Sequence, residues 1–197
     1  MLSEHFGVPL VGSGDLFREE IESGGTLGTI AREYVARGML APDELVNAII
    51  QKRLKEIALE RGFLLDGYPR NVEQAASLDR LVTINLAIHL KISDAVAVQR
   101  IQGRWQCPQC RSVFHERELP PPQPGICAMC GHRHLMRRED DQEDVLRARL
   151  AAYHFMTEPL ASYYRQRGVL LAVNADQPAS LLFGELARKM RRLGYKE

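Results

Sequence analysis

Lysine is scarce in this chain: of its 26 cationic residues, only five are Lys and the rest are Arg. None of the 15 Gly is followed by Lys, which excludes a G-x-x-x-x-G-K phosphate loop from these 197 residues. Charge of one sign is lacking too. Cations and acids nearly cancel, at 26 against 25, so nothing drives general binding to nucleic acid or anionic lipid. No apolar run approaches the roughly 18 residues of a membrane span. Met1 to Pro9 has neither the basic nor the apolar region of a signal peptide. The expected location is cytoplasmic, with no membrane partner.

What is present is an ordinary globular mixture, 45% hydrophobic and 26% charged. That excludes a disordered chain, a collagen and a coiled coil. The length suits one compact domain with a small insertion. Apolar runs of strand length alternate with helical stretches. Strands are expected at Val8 to Val11, Phe63 to Leu65, Leu86 to Ile92 and Val169 to Val173. Helices are expected at Thr26 to Arg37, stopped by Gly38, and at Pro42 to Glu60, ended by Gly62. Others run from Asn71, as cap, to Leu81, from Ser93, as cap, and from Pro178 to Arg192. A long helix from Asp141 to Gln166 should bend at Pro159. Such alternation predicts an α/β fold with a mostly parallel sheet. Ligands then sit at the carboxyl ends of strands. Two candidate strands run into polar glycine turns there, Gly12-Ser13-Gly14-Asp15 and Asp66-Gly67-Tyr68-Pro69-Arg70.

The stretch from Arg104 to Arg138 breaks the rhythm and holds all four Cys and the single Trp. Cys107-Pro108-Gln109-Cys110 and Cys127-Ala128-Met129-Cys130 form two C-x-x-C pairs. This spacing points to tetrahedral zinc, and four protein ligands make it structural. Two disulfides and an iron–sulfur cluster are the competing readings. His115, His132 and His134 are substitute ligands by type. Six arginines and Trp105 also raise a zinc-ribbon nucleic-acid binder. The acidic run Glu139-Asp140-Asp141 and the near-neutral chain oppose it.

Several motifs carry a family resemblance. Gly12-Ser13-Gly14-Asp15-Leu16-Phe17-Arg18 resembles the (S/T)-G-D-x-x-R segment of adenylate kinases. Asp66-Gly67-Tyr68-Pro69-Arg70, followed by Gln74, resembles their D-G-(F/Y)-P-R-x-x-x-Q segment. The cysteine pairs, the stretch from His115 to Pro122 and Arg138-Glu139-Asp140-Asp141 resemble the LID of the bacterial zinc form. Tyr153-His154-Phe155-Met156-Thr157-Glu158-Pro159-Leu160 continues the match. In this order the motifs cover essentially the whole chain.

The resemblance implies a P-loop nucleoside-monophosphate-kinase-like α/β fold. Its core would be 1–103 and 142–197, with an AMP segment at about 12–41 and a zinc LID at 104–141. It implies reversible phosphoryl transfer from MgATP to AMP, giving two ADP, by a monomer with structural Zn2+. Ser13, Arg18, Gly67, Arg70, Gln74, Arg138 and Arg149 would bind AMP, with the backbone near Met39 to Val46 lining the base. Arg100, Arg104 and Gln177 would bind ATP. Arg70, Arg138, Arg149, Asp140 and Asp141 would be catalytic. Arginines suit such chemistry because transition-state charge spreads over phosphoryl oxygens that a planar fork can grip. The ordinary alternative for each is a surface ion pair.

The resemblance departs at the start. The family opens with a strand and a glycine-rich Lys loop, whereas Met1 to Gly7 resembles the end of the helix after that loop. The fold should therefore lack its first, central strand and leave strand edges open. One expectation is that Met1 is internal to a longer working kinase. The other is a truncated remnant that binds AMP and zinc without catalysis.

Overall fold

The computed structural model describes residues 1–36, 41–57, 61–138 and 141–195. Their contacts divide the chain into two compact units. The first comprises Met1–Ala87, Met156–Leu170 and Ala187–Glu197, and the second Ile88–Phe155 and Leu171–Leu186.

In the first unit, α1 (Leu2–Phe6) ends at Gly7 in the left-handed region and leads into β1 (Leu10–Gly12). Gly12 then caps α2 (Ser13–Ser23), so the polar glycine motif is the first turn of a helix and not a free loop. Next come α3 (Thr26–Ala36), α4 (Asp43–Glu56), β2 (Leu64–Asp66) and α5 (Val72–Asp79). The expected stop of α3 at Gly38 lies outside the described residues. Helix α4 is shorter than expected. Ile57 turns extended, at φ −100° and ψ 151°, and packs against the core. The rest of the expected span, 58–60, lies outside the described residues.

β1 and β2 pair in parallel, Leu10 with Leu64 through Gly12 with Asp66. The core beside them gathers Val11, Leu16, Ala31, Leu45, Ile49, Ile50, Leu54, Tyr68 and Leu78. α2 packs on α3 so closely that a Cβ on Gly28 would lie 1.7 Å from the Glu20 carbonyl oxygen. Leu160 and Tyr164 of α8 (Leu160–Gln166) cover Ala75 of α5.

In the second unit, β3 (Ala87–Lys91) precedes α6 (Asp94–Gln102) and the hairpin β4 (Arg104–Gln106) and β5 (Val113–His115). Ser93 occupies the N-cap of α6, but its hydroxyl makes no capping bond. Helix α7 (Glu143–Ala152) runs into a π-helical turn, Tyr153–Thr157, before α8. The expected bend is therefore a widened turn starting six residues ahead of Pro159. Proline has no N–H to bond the carbonyl of Phe155, four residues back. β6 (Leu170–Asn174) and α9 (Ala179–Arg192) complete the chain.

β6 pairs with β3. Ala87 N–H donates to Val169 O and Ala175 N–H to Lys91 O, so the two strands advance in the same direction. The sheet thus appears as two separate parallel pairs plus the hairpin. The strands are thinly covered: Leu10 and Leu90 are exposed. No described helix is long and apolar enough to cross a membrane.

Candidate functional site

The first unit builds a cradle where α2 begins. Ser13 Oγ donates to the Gly67 carbonyl at 2.9 Å, and Arg70 Nε donates to the same oxygen at 2.8 Å. Gly67 sits at φ +75°, and a Cβ there would lie 2.6 Å from Ser13 Oγ. Only glycine suits both the angle and the approach. Arg18 folds back over Gly14 and pairs with Asp15 at 2.5 Å, half-exposed. The amino end of α2 has no side-chain cap and two arginines beside it, an arrangement that favours a phosphate.

Behind the turn lies a buried polar clasp. Asn71 caps α5, its Oδ1 accepting from Gln74 N–H at 2.7 Å. Gln74 Oε1 accepts from Arg70 N–H at 2.7 Å, and Nε2 donates to Asp43 Oδ1 at 2.7 Å. Asp43 Oδ2 accepts from Asn71 Nδ2. Tyr68 donates to Asn47 Oδ1 at 2.6 Å. Burial, then the Asp43 carboxylate, push its phenol up to about 12. The Tyr68–Pro69 peptide is cis. Thr157 Oγ1 donates to the Arg70 carbonyl at 2.7 Å.

The second unit gathers the other arginines. Arg104, on β4, grips Asp141 with two nitrogens, and Arg149 Nη1 lies 3.8 Å from the same carboxylate. Asp141 is nearly enclosed, its side chain 3% exposed, while Arg149 keeps 45%. One carboxylate thus holds the Arg104 fork by two hydrogen bonds and lies near the Arg149 guanidinium. Asp141 N–H donates to the Arg138 carbonyl. Asp140 lies outside the described residues, as does Met39.

Arg100 is already employed. Its three nitrogens donate to Ala175 O, Gln177 O and Glu118 Oε1, at 2.8, 2.6 and 3.1 Å. The Gln177 amide donates to Asn174 O and Glu185 Oε2. These two residues brace the end of β6 here, and ligand binding there would require them to exchange partners.

The four cysteines converge, their sulfurs all within 4.8 Å of one another. Cys110 and Cys127 are 3.4 Å apart, Cys107 and Cys130 3.6 Å. A tetrahedron of ~2.3 Å Zn–S bonds has edges of about 3.8 Å, so the set fits one ion. Each knuckle is closed by the same bond, Arg111 N–H to Cys107 O and Gly131 N–H to Cys127 O. Both closing residues have left-handed backbone, φ 59° and 72°. The Ser112 hydroxyl and amide push the Cys110 thiol down, while burial and the neighbouring sulfurs push Cys130 up, so without a metal the cluster shares its negative charge unevenly. All four cysteines are free in this structure. Among the described residues this is the one group of three or more metal-type side chains so close together.

Sequence reasoning missed Asp43, Thr157 and Glu118. Pro42-Asp43-Glu44 signals only a helix start. Nothing local says that Asp43 reaches residues 28 and 31 positions away.

These features describe an α/β chain with an arginine-flanked helix terminus and a cluster of four thiols. The profile of the adenylate kinase family matches residues 1–169. The chain is 36% identical over 196 residues to the adenylate kinase of Symbiobacterium thermophilum, covering 97% of this chain and 90% of that one. It is 36% identical to that of Pseudothermotoga lettingae, covering 98% and 90%. With that of Caldicellulosiruptor saccharolyticus the figure is 38%, covering 90% and 85%. The chain belongs to the adenylate kinase family, a family of nucleotide phosphotransferases.

Proposed function

We propose that this chain transfers a phosphoryl group reversibly from MgATP to AMP, yielding two ADP. The observation that carries this reading is the convergence of Ser13, Gly67 and Arg70 at the start of α2, with Gln74 fixed behind them. AMP phosphate would lie at the helix terminus between Arg18 and Arg70, with Gln74 reading the base. In unit two, Arg100, Arg104, Arg138 and Arg149 would grip nucleotide phosphates, with Gln177 toward the donor adenine. Asp141 holds the Arg104 fork, and Asp140 is assigned by resemblance alone. In-line transfer needs such positioning and charge stabilisation, with water excluded, and no covalent enzyme intermediate.

Cys107, Cys110, Cys127 and Cys130 would hold zinc as a structural ion. Mg2+ would arrive on the nucleotide, since the Asp141 carboxylate is taken by arginines. A bound Mg2+ supplies charge neutralisation between the donor phosphates.

A second reading is favoured by the sequence itself: no Gly-Lys pair supplies the family's donor-phosphate loop in these 197 residues. On that reading the chain binds AMP and zinc without turnover. The discriminating experiment measures ADP formation from MgATP and AMP beside calorimetric AMP binding, both on zinc-loaded protein. Repeated turnover supports transfer. AMP binding without ADP supports the second reading. Absence of AMP binding, or salt-dependent retention of RNA, would sink both.

A further inference from the structure

We infer that Asp43 is a positioning residue that sets the base preference of the nucleotide site, by locking the Gln74 amide in one orientation. The inference rests on the AMP reading above.

A glutamine amide has two faces. Half a turn about its last bond exchanges the carbonyl oxygen with the NH2 group. A 6-amino purine offers a donor at position 6 and an acceptor at N1, and a 6-oxo purine offers the reverse. An amide that turns freely can therefore serve either base. Gln74 does not turn freely. Arg70 N–H donates to its Oε1, and its Nε2 donates to Asp43 Oδ1, each at 2.7 Å. A backbone N–H can only donate and a carboxylate can only accept. Turned over, the amide would set NH2 against N–H and oxygen against carboxylate. Gln74 is 5% exposed, so water cannot rescue those two losses.

Asp43 is itself braced. Asn71 Nδ2 donates to its Oδ2 at 2.7 Å, while Asn71 Oδ1 accepts from Gln74 N–H. The Gln74 and Asn71 amides therefore each have one permitted orientation. Nε2 keeps one further hydrogen and Oε1 one further lone pair, in a fixed order. With AMP as the acceptor, the 6-amino group lies on the Oε1 side. The Arg70 backbone supplies one half of the lock and Asp43 the other. The Asp43 half is the one a substitution can remove.

The test is a calorimetric comparison of AMP with IMP, which differ only at position 6 and N1, on the zinc-loaded full chain. The wild-type chain should bind AMP at least ~10-fold more tightly than IMP. Asp43→Asn should lower that ratio by ~10-fold, because an Asn side chain can present NH2 to Gln74. Asn71→Ser keeps a capping oxygen and removes the brace on Asp43. It should lower the ratio about threefold, and it carries the test alone should Asp43→Asn fail to fold. A purely structural role would weaken both nucleotides equally, and an unchanged ratio overturns the inference. Wild-type protein that binds AMP without preferring it over IMP overturns the lock alone. Wild-type protein that binds neither overturns the AMP reading and the inference with it.

Discussion

The two units hold their functional groups by opposite means. In the first, Ser13, Gly67, Arg70 and Gln74 are placed mainly by hydrogen bonds to backbone groups over a broad apolar core. In the second, Arg104 is gripped by one enclosed carboxylate with Arg149 nearby, and among the described residues of the module the buried cluster is Cys107, Phe114 and Cys127. Apolar burial is cumulative, so its failures are graded. Charge and metal act at single atoms, so their failures are abrupt.

Substitutions can break this contrast. The largest effect should follow Cys127→Ser or chelation. Structural zinc in small modules is worth roughly 10–16 kcal/mol. Hydrogen exchange across 104–138 should lose its protection while α4 and α5 keep theirs. Equal loss in both units would refute the contrast. Next is Asp141→Asn, expected to cost about 2–3 kcal/mol because Arg104 loses an anionic acceptor and Asn offers one oxygen in place of two. A denaturant midpoint unchanged from wild type would mean that Asp141 is not what places the arginines.

Gly67→Ala should cost ~1–2 kcal/mol, through a left-handed backbone and a Cβ too near Ser13 Oγ. It should weaken AMP binding with little change in zinc content. The smallest effect concerns pH. The Tyr68 phenol is raised in the folded chain to about 12, above its ordinary value of 10.0. Its neutral form is favoured by folding, so this contribution is complete below pH 10 and lost as pH rises toward 12. Tyr68→Phe should remove that alkaline dependence and cost ~1 kcal/mol at neutral pH. An alkaline melting profile identical to wild type would assign the dependence elsewhere.

Local chemistry was legible in the sequence, and long-range chemistry was not. The cysteine pairs declare their knuckles because spacing alone fixes the geometry. Asn71 reads as a cap, and its partner lies three residues on. The Gly12 to Arg18 and Asp66 to Arg70 motifs locate both sides of the cradle. By contrast, Arg100 carries no sign that it reaches carbonyls 75 and 77 residues away. The sheet also differs from the periodicity, because apolar runs mark strands without saying which neighbour each finds. Nor does the helical pattern of α4 show that Ile57 turns extended and packs against the core. Some local features escaped too: the Gly12 to Asp15 motif opens a helix, and proline's effect spread upstream of the residue itself into the π turn.

The two cysteine knuckles differ in backbone cost at the residue that closes each turn. Gly131 closes one without strain, whereas Arg111 closes the other in a backbone region costly for any residue with a Cβ. Such a misfit is tolerable where four sulfurs secure the fold, and the same holds for neighbouring residues that touch no metal. The module is thus a place where mutations can accumulate and new surface chemistry can be tried at low risk. The tightly packed seam of α2 and α3, where Gly28 admits no other side chain, leaves no such latitude. Variation among homologous chains should concentrate in the module between its cysteines and be sparse along that seam.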